Sequence, residues 1–183
     1  MACAFCGLES MDGTYARIAA LDVCEECRTS GVFHHLRERG YEAQNRVWVS
    51  RSGDIKKQYQ RITIRLPVDT GIRLRCVRER WYHDLTRLFR RELEVGDPLF
   101  DEYIYVAKGS SADVATLLAN EGVQSAILLV GVQGTFTLTR SVLEAHFAST
   151  VGASPEERQA RVLEVAGAAL HIVRWHEERQ GSA

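Results

Sequence analysis

The runs Asn45-Arg46-Val47-Trp48-Val49-Ser50-Arg51 and Gln58-Tyr59-Gln60-Arg61-Ile62-Thr63-Ile64-Arg65-Leu66, joined through Ser52-Gly53-Asp54, decide the fold. In the first, Val47 and Val49 lie on one side and Arg46, Trp48 and Ser50 on the other. In the second, Ile62, Ile64 and Leu66 oppose Tyr59, Arg61, Thr63 and Arg65. A period of two belongs to strands, and Ser-Gly-Asp between the runs is turn chemistry, so the pair reads as a β-hairpin. A third strand is expected over residues 72–77, after Asp69-Thr70-Gly71, with Ile72, Leu74 and Cys76 on a common face. Cys76 is then most simply a small buried apolar residue.

Working outward, the period changes. Trp81, Leu85, Leu88 and Phe89 mark an amphipathic helix over residues 78–93, whose other face carries Arg80, Arg87, Arg90 and Arg91. Residues 102–107 read as a strand and residues 110–120 as a helix. Residues 123–132 fit either a buried strand or a buried helix, and residues 135–139 read as a strand with Phe136 and Leu138 on one side. Ser154-Pro155-Glu156-Glu157 is a capping box with proline at the first helical position. It opens a long helix over residues 155–179. The expected fold class is α+β, an antiparallel sheet with a long C-terminal helix.

Upstream stands a different kind of segment. Cys3-Ala4-Phe5-Cys6 and Cys24-Glu25-Glu26-Cys27 are two Cys-x-x-Cys pairs separated by 17 residues. Each pair can form a knuckle in which two thiolates converge on one ion, and four soft thiolates select zinc over harder cations. About forty residues cannot build a self-sufficient core, so a metal staple is expected. A disulfide framework is the poorer alternative, because five cysteines is an odd number and the N-terminus lacks the basic region and apolar core of a secretory signal. A closed four-cysteine shell leaves no position for water or substrate, which makes the zinc structural. A helix over residues 28–39 follows, stopped by Gly40, and a domain boundary falls near residues 40–45. The expected division is a zinc-binding module at 1–42 and an α+β domain at 43–183.

Cys3-Ala4-Phe5-Cys6-Gly7, the stretch Ile18-Ala19-Ala20, and Val23-Cys24-Glu25-Glu26-Cys27 leading into a helix resemble the zinc-binding domain of ClpX-type unfoldases. That resemblance implies a treble clef made of a knuckle, a hairpin and a helix, with Cys3, Cys6, Cys24 and Cys27 as ligands. It also implies a docking and dimerisation role. It covers residues 1–40 only, and no Gly-x-x-x-x-Gly-Lys-[Ser/Thr] motif accompanies it, so no ATPase activity is implied. Separately, Gly96-Asp97-x-x-Phe100-Asp101, a following strand and Leu117-Leu118 resemble a bacterial domain with no assigned activity. That likeness implies shape and no chemistry; physically, Asp97 can cap and Phe100 can anchor the strand.

The 183 residues carry a net charge of −1, but the total hides a division. Residues 1–45 hold 4 basic and 7 acidic groups, residues 46–91 hold 13 and 4, and residues 92–183 hold 6 and 13. A chain split this way is either dipolar on its surface or internally paired. Arg61, Arg65, Arg73 and Arg75 share one parity on adjacent strands, with Trp48 and Tyr59, and such a face can hold phosphates and stack bases. No apolar run approaches the roughly 18 residues of a membrane span. No Gly-x-Ser-x-Gly, dinucleotide fingerprint or His-Glu-x-x-His occurs. The sequence therefore predicts a non-enzymatic, cytoplasmic zinc protein that serves as an adaptor for a protein partner or a second copy of itself. The alternative is a nucleic-acid-binding regulator that uses the arginine-rich region 46–91.

Overall fold

The computed structural model describes residues 2–7, 15–18, 21–52, 54–78, 95–108, 112–149 and 152–181. The alternation at the centre of the sequence carries straight into its sheet. Strands β1 (Tyr15–Ile18) and β2 (Leu21–Cys24) form a small antiparallel pair. Strands β3 (Glu42–Ser52), β4 (Ile55–Arg65), β5 (Arg73–Arg78), β6 (Ile104–Lys108), β7 (Gly134–Thr139) and β8 (Val142–Ser149) form a six-stranded sheet. Its order is β3-β4-β8-β7-β5-β6, antiparallel at every pairing.

Among the described residues the helices are α1 (Val32–Glu38), α2 (Pro98–Tyr103), α3 (Ala112–Leu118), α4 (Glu121–Gln133) and α5 (Pro155–Gly181). Helix α5 packs on α4 and β4, and α4 lies on β5, β7 and β8. The inward parity of the strands meets them: Ile62, Ile64, Leu74, Cys76, Phe136, Leu138, Leu143, Ala145 and Phe147 are all buried. Cys76 is wholly buried, and burial alone drives its thiol up, as a small core residue requires. Helices thus cover one face of the sheet. The other parity of the strands is half-buried or exposed.

Local chemistry sets the helix starts. In the capping box, the Ser154 amide donates to Glu157 Oε2 at 2.7 Å and the Glu157 amide to Ser154 Oγ at 3.1 Å. The ambiguous residues 123–132 are helical: Asn120 Oδ1 accepts from the Val123 amide at 3.1 Å and starts α4. Residues 102–107 differ from expectation, because α2 runs to Tyr103 before β6 begins. Asp97 caps α2 by accepting from the Phe100 amide at 2.8 Å, and Pro98 opens it. Asp101 accepts from the amides of Val95 and Gly96, while Phe100 is wholly buried. The Gly96–Asp101 pattern is therefore a self-tied turn and helix start. The helix expected over residues 78–93 lies outside the described residues, except Arg78, which ends β5.

Polar side chains also enter the core. Gln60, 2% exposed, donates from Nε2 to Asn45 Oδ1 and to the Arg158 carbonyl, which ties β4 to the start of α5. Glu164 on α5 has one carboxylate oxygen buried without a partner among the described residues. Burial pushes its carboxyl up to about 6 from 4.5, against the opposing pull of Arg161. A raised folded value means that the folded chain holds its proton longer than the unfolded chain. Stability therefore falls as pH rises from about 4.5 to about 6 and stays lower above that, by about 2 kcal/mol. Glu164→Gln is expected to remove this loss, raising the thermal midpoint at pH 7.5 and leaving it little changed at pH 4; a midpoint that is lower at both would contradict the assignment.

Candidate metal centre and cationic sheet face

Three local structures bring the four cysteines together. Cys3 and Cys6 sit on a tight turn in which the Gly7 amide donates to the Cys3 carbonyl at 2.9 Å. Gly7 there has φ +75°, a conformation that a glycine adopts without steric cost. Cys24 ends β2, and the Ala4 amide bonds to the Asp22 carbonyl at 2.8 Å, docking turn against hairpin. Cys27 opens a turn of π-helix, Cys27–Gly31, that runs into α1. The order is knuckle, hairpin, helix. Arg39, just past α1, donates to the Ala4 carbonyl at 2.9 Å and closes the unit.

The sulfurs of Cys3, Cys6, Cys24 and Cys27 all lie within 4.8 Å of one another. Cys6 Sγ and Cys24 Sγ are 3.7 Å apart. A disulfide would require about 2.05 Å. Four thiolates at about 2.3 Å from a central ion in a tetrahedron would lie about 3.8 Å apart. The donor set fits a tetrahedral metal ion.

The electrostatics lead the same way. Burial raises the Cys3 thiol, but the amides of Cys24, Cys6 and Phe5 and the Cys24 thiol outweigh it and bring Cys3 down to about 6. The Cys24 amide reaches Cys3 Sγ at 3.4 Å. Cys27 moves the opposite way, pushed up by burial and by the sulfurs of Cys24, Cys3 and Cys6 crowded around it. One member of the cluster is prepared as a thiolate while another is penalised for becoming one. A cation held by the four sulfurs would remove that conflict, since a coordinated thiol deprotonates outright.

The nearby polar residues do not join the shell. His34 and His35 lie about two turns beyond Cys27 on α1 and face Glu38, at 3.4 Å and 3.1 Å. Glu25 and Glu26 are exposed, and Glu25 holds Arg28. Phe5, Val23, Val32 and Leu36 belong to the same continuous cluster of buried residues as the sheet core, so the four-cysteine segment packs onto the sheet.

The second candidate site lies on the sheet face that the described helices leave open. Strand registers place Arg46 opposite Arg61, Arg61 opposite His146, and His146 opposite Thr135, forming one row across four strands. The next row along pairs Trp48 with Tyr59, their rings stacked at 5.4 Å and 14°. Beyond it Ser50 faces Lys57. Arg73 and Arg75 lie on the same face of β5, opposite Thr139 and Thr137. All six residues of the expected face share one surface, but Arg65 is engaged: its Nε lies 3.3 Å from Glu42.

The six strands carry ten Lys and Arg against two carboxylates, Glu42 and Glu144. The positive field shows at His146, which burial pushes down and the charges of Arg61 and Arg75 push down further, against Glu144. Helices α4 and α5 pack on the opposite face, and no described carboxylate pairs with Arg46, Arg61, Arg73 or Arg75. Arg46 and Lys57 escaped the sequence reading. Gly53-Asp54, taken as a two-residue loop, would have placed Arg46 opposite Arg61 directly.

Among the described residues no single helix is long and apolar enough to cross a membrane. Comparisons with protein-family models, with curated proteins and with solved structures return no match to this chain.

Proposed function

We propose that the chain is a zinc-binding, non-enzymatic interaction protein, an adaptor with a structural four-cysteine site in a module at residues 1–42 and an α+β body at residues 43–183. The observation that supports this reading is the convergence of four thiols on one point. A full shell of soft ligands favours zinc, leaves no open coordination position, and gives the ion a folding role. Zinc bound there would supply binding free energy that the short N-terminal segment uses to hold its shape. Cys3, Cys6, Cys24 and Cys27 would hold it, with the amides around Cys3 screening the anionic cluster. The ClpX-like order of knuckle, hairpin and helix adds support for docking to a protein partner or a second copy.

Freshly purified protein is expected to carry close to one zinc per chain by elemental mass spectrometry; a content below about 0.5 would overturn the zinc reading. Affinity capture with the wild type should retain partners that the Cys24→Ser variant loses. Identical partner sets would count against a docking role for the metal module.

A second reading, a nucleic-acid-binding regulator acting through region 46–91, is favoured by one specific observation: the excess of cations on the open sheet face.

A further inference from the structure

Arg46 and Arg61 stand directly opposite each other, and His146 continues their row. Like charges at directly opposed positions destabilise a sheet. Folding gives no reason to place them there, and no described carboxylate pairs with either. Trp48 and Tyr59 fill the adjacent row, with Trp48 left 41% exposed on the edge strand. On the far side of the aromatic row stands Lys57, which is exposed. Same-face rows in a strand are spaced about 6.8 Å apart. Along β3 and β4 the open face therefore reads cation, aromatic, cation.

We propose that this face binds single-stranded nucleic acid, with Trp48 and Tyr59 as the stacking platform and Lys57, Arg46 and Arg61 holding phosphates on either side. The inference rests on the second reading above and names its ligand class. Charge complementarity fixes the sign of the ligand, given Arg46, Lys57, Arg61, Arg65, Arg73 and Arg75 against Glu42 and Glu144 on this face. The aromatic row narrows it further. An acidic peptide offers carboxylates but no ring at every repeat, and a duplex keeps its base faces hidden. Unpaired bases offer rings and phosphates in alternation, and sheet surfaces bearing aromatics are a recurrent solution for them. Arg75 and Arg73, further across the sheet, extend the positive field along the path of a longer strand.

The probe is fluorescein-labelled dT15, and anisotropy is followed from 20 to 300 mM salt. With three to four phosphates neutralised, the log–log slope of affinity against salt is expected at about −2 to −3. Trp48→Ala should weaken binding about 5- to 100-fold. Arg46→Gln should flatten the slope by about 0.7, and it carries the test alone if Trp48→Ala fails to fold. Lys56→Gln removes one charge from the same hairpin on the opposite face and should leave affinity within about twofold. Several results would overturn the proposal: no binding at 20 mM salt, a slope near zero, equal weakening by Lys56→Gln and Arg46→Gln, or tighter binding of a polyglutamate peptide or a 15-base-pair duplex than of dT15. Should dT15 fail to bind while zinc content and thermal midpoint stay normal, the single-strand proposal falls and the interaction-protein reading stands.

Discussion

Replacing Cys24 with serine, or stripping the metal with a strong chelator, is expected to unfold the segment before β3 and to lower the thermal midpoint of the rest. Serine is a far poorer ligand for a soft ion than a thiolate, so three sulfurs would remain around an incomplete shell. Structural zinc in small modules contributes about 10–16 kcal/mol of apparent binding free energy, which exceeds what so short a segment gains from packing. The damage should spread. Phe5, Val23, Val32 and Leu36 are buried in one cluster with the sheet core, and α5 contacts β1, α1 and the π-turn that carries Cys27. Exposing such side chains costs about 1.5–3 kcal/mol each.

Hydrogen exchange should locate the change. Amides in β2 and α1 are expected to lose protection with the metal, while those in β4, β7 and β8 keep it. Cys76→Ser is the control, since that thiol lies wholly buried in the sheet. It should cost stability without changing metal content. A Cys24→Ser protein that still binds one metal ion per chain and melts within about 2 °C of the wild type would refute the structural role.

How much of this could be read beforehand depends on whether the determining contact is local. The cysteine pairs, the capping box at Ser154 and the alternation of Arg61 to Leu66 are local patterns, and all three have the expected geometry. Strand β8 is the instructive omission. It lies between β4 and β7, so without it the sheet separates into a hairpin and a three-stranded remainder. Its inward residues Leu143, Ala145 and Phe147 do alternate, but alanine, glutamate and histidine around them carry little strand preference.

The turn before β8 is equally uninformative. Arg140-Ser141 contains no glycine or asparagine, yet Arg140 adopts φ +56°. A contact 71 residues distant holds it there: Arg140 Nε donates to Asp69 Oδ2 at 2.9 Å, and the Thr70 hydroxyl donates to the Arg140 carbonyl at 2.7 Å. The loop that precedes β5 thus specifies a turn between β7 and β8, which no local reading supplies. Similarly, length could not separate strand from helix over residues 123–132, and the Asn120 side chain settles it.

Gly134→Ala is expected to be among the most damaging single substitutions in the chain, because the backbone of β8 occupies the space a side chain would need. A Cβ placed on Gly134 would lie 2.1 Å from the His146 carbonyl oxygen and 3.0 Å from both the carbonyl carbon and Phe147 Cδ1. Gly134 has an extended backbone, so the requirement is close approach and not an unusual dihedral. It begins β7 directly from α4, and its register partner is Phe147 in the central strand. Relief would need β7 and β8 to separate, breaking the ladder that joins the two halves of the sheet.

Two other glycines give the scale. A Cβ on Gly131 would approach Ile104 Cδ1 to 2.4 Å, but a terminal methyl can rotate aside. On Gly122 the obstacle is the half-buried His171 ring, also a side chain. Overpacking against movable side chains costs about 1–3 kcal/mol, and against backbone the cost should reach about 3 kcal/mol or more. Denaturant midpoints for the three alanine variants should therefore rank Gly134→Ala lowest. The proposed dT15 binding would provide an independent readout, because Arg61 is in register with His146, the residue whose carbonyl the new methyl would strike. If Gly134→Ala folds with a midpoint close to that of Gly131→Ala, then β8 can yield at His146, and the rigid central pairing on which the open face depends is wrong.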